Sequence, residues 1–158
     1  MLNAAEQRII EHVDRVGWSI MKVAPRANSD DPQEWFAYTI GLPKTLGWPE
    51  VICFGLSLDL MGALLNDLVA ECKERGIQPT ADLKLSNIIK NAEVKLVDAA
   101  SVPLSYLNSA RWFSEHTGAG GAVARLQMLW PDKNGVFPDE TGCEQDVRDA
   151  QTPLERLQ

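Results

Sequence analysis

The sequence predicts a single α+β domain: a mainly antiparallel sheet of about five strands, with two or three helices packed largely on one face. Three observations lead there. Short β-prone runs with period-two alternation are interspersed with segments of helical period. The connection between the second and third of those runs is too short for a helical crossover, which favours antiparallel pairing there; a parallel pair would belong to the strands flanking the long helix. Finally, 158 residues with 45% hydrophobic and 23% charged content suffice for one buried core, and for little more.

The first helix is expected over residues 4–16. Asn3 and Glu6 are spaced as a capping box, Ile9, Val13 and Val16 recur at helical spacing, and Gly17 offers a left-handed stop. A first strand follows at 18–24, ended by Pro25. The polar stretch PRANSDDPQ reads as an exposed loop. In WFAYTIGL, Phe36, Tyr38 and Ile40 alternate with Trp35, Ala37 and Thr39, so the second strand has substance on both faces. Residues 43–49, with two prolines and Gly47, read as a loop, and EVICFG is the near-continuous apolar run of a strand covered on both sides.

Ser57 caps a long helix over 58–75, whose Met61, Leu64, Leu65, Leu68 and Cys72 form a buried stripe ended by Gly76. Residues 77–85 read as a connection, Leu85, Ile88 and Ile89 as a short strand or turn, and NAEVKLVDA as a strand. A third helix is expected over 104–116 behind Pro103. After the TGAGG break, AVARLQMLW alternates as a last strand, and Asn134-Gly135 signals a turn with Val136 and Phe137 folding back. Residues 1–138 thus form the domain, and the acidic stretch 139–158 is expected to be surface-docked or partly disordered.

Composition narrows the function. A net charge of −7 and the lack of any basic run oppose nucleic-acid binding, which depends on neutralising phosphates. No apolar segment is long enough to span a bilayer and no signal-peptide core is present, so a cytoplasmic protein is expected, with no membrane partner. Cys53, Cys72 and Cys143 lack the spacing of a disulfide framework or zinc site and read as buried thiols. No metal or other cofactor is implied. The pairs Asp30-Asp31 and Asp139-Glu140 read as solvated carboxylates rather than cation ligands.

Four blocks carry a resemblance: YTIGL at 38–42, PEVICFGL at 49–56, LLNDL at 64–68 and LQMLWPDKNGVFP at 126–138. Their order and spacing resemble the bacterial family catalogued as domain of unknown function 4262, with the likeness running from Gly17 to Pro138. It implies a shared fold and a bacterial cytosolic setting, and it brings no mechanism with it.

No catalytic signature stands out among single residues. His12 is expected on the solvent side of the first helix, and His116 at the C-terminus of the third, where a cation is favoured. TGAGG lacks the Lys-Ser/Thr of a phosphate loop and reads as a hinge. The candidate site joins distant blocks: Tyr38, Thr39, Trp48 and Glu50 around the loop between two strands, and Arg125, Gln127 and Asp132 on or after the last strand. Arg125 and Gln127 share a strand face and require solvent or partners. The structural reading pairs Arg125 with Glu50 or Asp132; the functional one has these groups hold a ligand.

Trp48, between Gly47 and Pro49, reads either as a cap on the core or as a contact residue. The expected function is that of a small-molecule-binding or protein-interaction domain, self-associating through tryptophan-bearing surface. One rival is a small hydrolase using Glu50 or Asp132 with Arg125 and Tyr38. Another is an immunity-type protein whose acidity meets a basic partner.

Overall fold

A computed structural model describes residues 1–25 and 31–153. Within them, one six-stranded sheet runs in the order β1-β2-β3-β6-β5-β4. The strands are β1 (Ser19–Val23), β2 (Phe36–Ile40), β3 (Glu50–Phe54), β4 (Lys84–Ile89), β5 (Ala92–Asp98) and β6 (Arg125–Leu129). The helices are α1 (Ala4–Val16), α2 (Leu42–Leu46), α3 (Leu58–Arg75), α4 (Asn108–His116) and α5 (Gln145–Ala150), with 3-10 turns at Pro32–Glu34 and Leu104–Leu107. The expected loop at Asn28–Asp31 and the pair Asp30-Asp31 fall mostly outside the described residues, as do residues 154–158 of the acidic stretch.

The α+β class stands, with corrections. The sheet has six strands because Leu85, Ile88 and Ile89 belong to a full strand: β4 and β5 form a hairpin whose turn places Asn91 at φ 63°. It is mixed, since β3 and β6 run parallel while every other pairing is antiparallel. The parallel pair is thus β3 with β6, not the two strands flanking α3. Two 3-10 and α-helical pieces replace the single helix expected at 104–116. Residues 43–49 include α2 rather than only loop, with Pro43 in its first turn, where a missing N–H costs nothing. Among the described residues Val136 and Phe137 form no strand; a bond from the Asp132 amide to the Val136 carbonyl closes that turn instead.

Helices cover both faces, against the expectation of one. On one face Ala37, Val51, Cys53, Leu96 and Met128 pack with the buried stripe of α3. On the other, Phe36, Tyr38, Ile52 and Phe54 pack with α1, Tyr106, Leu107 and α4. Phe36 and Phe54 are register partners, and both meet Tyr106 edge-on, at 5.0 and 5.6 Å between ring centres. Strands with large apolar groups on both sides cannot leave either side in water.

Local signals set the helix ends. Asn3 Oδ1 accepts from the Glu6 amide at 2.8 Å while Glu6 Oε1 accepts from the Asn3 amide at 3.0 Å. Ser57 caps α3, and Gly17 and Gly76 end α1 and α3 in left-handed backbone. Beyond Pro138, α5 docks on the strand ends, leaving Ala150 and Gln151 buried. Gln151 binds both the amide and the carbonyl of Trp130, at 2.9 and 2.8 Å, as a neighbouring strand would. All three cysteines are free and buried, and burial pushes the Cys53 thiol up to about 12.

Candidate functional site

The backbone ladder between β2 and β3 covers Phe36–Tyr38 opposite Ile52–Phe54. At the next position a side chain takes over. Thr39 Oγ1 accepts from the Val51 amide at 2.9 Å and donates to Glu50 Oε1 at 2.8 Å. The Glu50 carboxylate also accepts from the Gly41 amide at 2.8 Å and the Leu42 amide at 3.3 Å, so it ties the end of β2 to the start of α2. Gly41 makes that turn with φ +99°, and a Cβ there would stand 2.9 Å from Val13.

Glu50 is 2% exposed. Burial drives its pKa from an ordinary 4.5 to about 7, against the hydrogen bonds from Thr39, Gly41 and Leu42, which favour the ionised form. It lies in the wall of a cavity of about 350 Å³ bounded by the connection 41–50, by α4 and by loop 117–124. Trp48, Phe113 and Val123 make that wall mostly apolar, and Lys44 stands at it with Nζ 5.8 Å from the centre of the Phe113 ring. Ser114 and Thr117 turn their hydroxyls to backbone carbonyls: Ser114 Oγ to Gly120 at 2.6 Å, Thr117 Oγ1 to Phe113 at 2.8 Å. The wall therefore presents few unspent polar groups, and the Glu50 carboxyl in it already accepts from Thr39, Gly41 and Leu42.

Of the residues singled out in the sequence, Thr39, Trp48 and Glu50 come together here. Tyr38 turns to α4, its hydroxyl accepting from the Ser109 amide at 3.1 Å; burial raises its pKa, opposed by the Ser109 bonds, with the charge of Glu50 adding to the rise. Arg125 is the register partner of Glu50, yet its guanidinium points to the chain after β5. Its Nε and Nη2 donate to the Val102 carbonyl at 3.0 and 2.6 Å, Nη2 also to Ala100 at 3.1 Å, and Nη1 to Val123 at 2.7 Å. The expected salt bridge to Glu50 or Asp132 is absent among the described residues, because backbone carbonyls already occupy four of its five N–H bonds.

Gln127 donates to the Gln151 carbonyl at 2.7 Å and so holds the C-terminal segment. Asp132 lies beyond the far end of β6; the strand from Arg125 to Leu129 alone spans about 13 Å. There it accepts from the amides of Asn134, Val136 and Glu144 at 2.9, 2.9 and 3.0 Å, and these bonds, Val136 foremost, hold its pKa below the ordinary value. The carboxylates Asp139 and Glu140 flank Lys95, at 2.8 and 4.0 Å. His116 stacks on Trp112 with ring centres 5.2 Å apart. His12 is half-buried beside β1 rather than on the open side of α1, and its Nδ1 is buried without a hydrogen-bond partner among the described residues.

Sequence reasoning missed Phe113, Val123 and Lys44 as neighbours of Trp48 and Glu50. Only the apolar phase of α4 hinted at Phe113, and nothing local tied Val123 to residues some seventy positions earlier. Among the described residues no group of three or more His, Cys, Asp or Glu side chains is placed to hold a metal ion, and no helix is long and apolar enough to cross a membrane.

An α+β domain with a buried carboxyl at a mostly apolar cavity is the class that fold and site define. The chain belongs to the family described as Domain of unknown function (DUF4262), whose profile matches residues 12–144. Comparison with curated proteins and with solved structures returns no significant match. The matched range takes in Thr39, Trp48, Glu50 and Phe113, together with Arg125 and Asp132.

Proposed function

We propose that this domain binds a small, largely apolar organic molecule in the cavity between the 41–50 connection, α4 and loop 117–124. Trp48 and Phe113 would provide the contact area, and Glu50 one polar anchor. The observation that carries the reading is the placement of one near-neutral carboxyl in an otherwise apolar wall. A carboxyl with a pKa near 7 gains and loses its proton around neutrality; with Oε1 and Oε2 already accepting from Thr39, Leu42 and Gly41, its protonated form would act as a donor, which suits a ligand carbonyl or ether oxygen. The cavity, about 350 Å³, is at the small end of ligand sites, so the ligand is of single-ring rather than nucleotide size.

A carboxyl poised near 7 also fits acid–base chemistry. A hydrolysis scheme that uses Arg125 to hold an anion has little to draw on, since that guanidinium is committed to backbone carbonyls.

Phenol, indole and benzyl alcohol serve as probes in ligand-observed NMR, with the indole resonance of Trp48 read in parallel. Binding that is saturable and lost on Trp48→Ala and Phe113→Ala, both still folded by circular dichroism, is the expected result. Probes that bind the variants as well as the parent, or that leave the Trp48 signal unmoved, refute the reading. Turnover of a bound ester analogue that Glu50→Gln abolishes would select the acid–base version.

A further inference from the structure

A second groove lies at the opposite edge of the sheet from the β4–β5 hairpin. It is lined by Arg8, His12 and Arg15 of α1, by the edge strand β1 from Ser19 to Lys22, and by Asn66 of α3. Among the described residues β1 is the last strand on this side and pairs only with β2. Among the described residues the N–H and C=O groups along its outer edge therefore meet no strand and make no other backbone hydrogen bond. The other edge is blunted: β4 carries a register irregularity between Leu85 and Ile89 and an exposed Lys84. β1 has no such interruption over its five paired residues.

The charges beside this edge run against those of the whole protein, which is −7 overall. Arg8, His12 and Arg15 are spaced i, i+4, i+7 and so form one stripe of α1. Arg8 and Arg15 are exposed, and neither has an ion-pair or hydrogen-bond partner among the described residues. Lys22 adds a third cation, held at 3.1 Å by the exposed Asp59, and Glu11 is the single carboxylate in the lining. Asn66 accepts from Trp18 Nε1 at 2.9 Å through its oxygen, which leaves its amide N–H groups to donate.

The geometry selects an elongated ligand. Arg15 lies seven residue steps along α1 from Arg8, a rise of about 10.5 Å. That matches about three residues of extended chain. A lone oxyanion is far shorter than the stripe, whereas an extended chain runs along all of it while its backbone meets β1. A second copy of this protein pairing through β1 would bring the two sets of cations together, which disfavours it.

We propose that the groove along β1 receives an extended acidic peptide of a partner protein, which adds to the sheet as a seventh strand while its carboxylates meet Arg8 and Arg15. This is strand addition at a free edge, with main-chain bonds giving affinity and the basic stripe of α1 giving selectivity. It is independent of the cavity at Glu50, which lies between α2 and α4.

The test uses the full chain and a fluorescein-labelled peptide of roughly eight residues, the length of a short strand, alternating valine and glutamate. Fluorescence anisotropy should show saturable binding that weakens with salt. The Arg8→Glu, Arg15→Glu double variant changes only exposed positions, and its thermal midpoint checks its fold. It should weaken binding about tenfold or more. A peptide of the same sequence, N-methylated on alternate residues to block its pairing edge, should lose about as much. Binding that the N-methylated peptide retains, a lysine-for-glutamate peptide that binds equally well, full competition by inorganic phosphate, or no saturation up to about 1 mM peptide would each overturn the proposal.

Discussion

Exchange of Glu50 for glutamine isolates the energetic consequence of burying this carboxyl. In the folded chain Glu50 titrates near 7, and in the unfolded chain near its ordinary 4.5. Between those two values the folded state holds a proton that the unfolded state has released, so stability falls as pH rises. The contribution is fully present below about 4.5, declines by about 1.4 kcal/mol per pH unit through the window, and is gone above the folded pKa. Integrated from 4.5 to about 7, the loss is about 3 kcal/mol.

Glutamine does not titrate. Its amide nitrogen would face one of the amides that now donate to Glu50, from Gly41 or Leu42, and that mismatch costs about 1–3 kcal/mol at every pH. The stability difference between parent and Glu50→Gln should thus, over pH 5–8, favour the parent most at pH 5 and shrink by about 2.5 kcal/mol by pH 8. Urea unfolding at half-unit steps of pH, with slopes checked for constancy, measures it. Carboxylates elsewhere cancel in the difference. A difference that stays flat across pH 5–8, or grows with pH, would refute the burial argument and leave Glu50 an ordinary helix-capping carboxylate.

Two further outcomes test the frame around the site. Gly41→Ala forces a side chain onto φ +99° and to within 2.9 Å of Val13, and should cost about 2–4 kcal/mol; Gly47→Ala, at φ +72° with open space around it, should cost only about 1 kcal/mol in the same urea assay. Arg125→Lys should destabilise nearly as much as Arg125→Ala, by about 2–4 kcal/mol, because one ammonium cannot reach the carbonyls of Ala100, Val102 and Val123 together; full rescue by lysine would show that charge alone matters there.

Arg125 also shows how a polar residue on a strand can mislead. From the sequence it faces the same side as Gln127, and a charged partner was the natural expectation. The structure gives it carbonyls instead, those of the turn between β5 and the Leu104–Leu107 helix and of the segment leading into β6. Gln127 and Asp132 likewise serve chain segments, the first holding the carbonyl of Gln151 and the second the turn around Asn134. What remains of the candidate set as a possible ligand contact is the loop between β2 and β3.

That loop was legible in the sequence because its residue types are incompatible with plain packing. A tryptophan between glycine and proline, followed by a glutamate at the head of an apolar strand, already asks for an explanation. The ends and buried stripes of α1 and α3 were legible too, since capping boxes, left-handed glycines and 3.6-residue spacing act between neighbours in the chain. Strand order was not. The parallel neighbour of β3 enters some seventy residues later, and two-sided cover of the sheet depends on which of several amphipathic helices reaches which face. The charge state of Glu50 and the free edge of β1 belong to that second kind of property. Periodicity decides which face of an element is apolar, whereas only the assembled chain decides what excludes water from a carboxyl or leaves a strand without a neighbour.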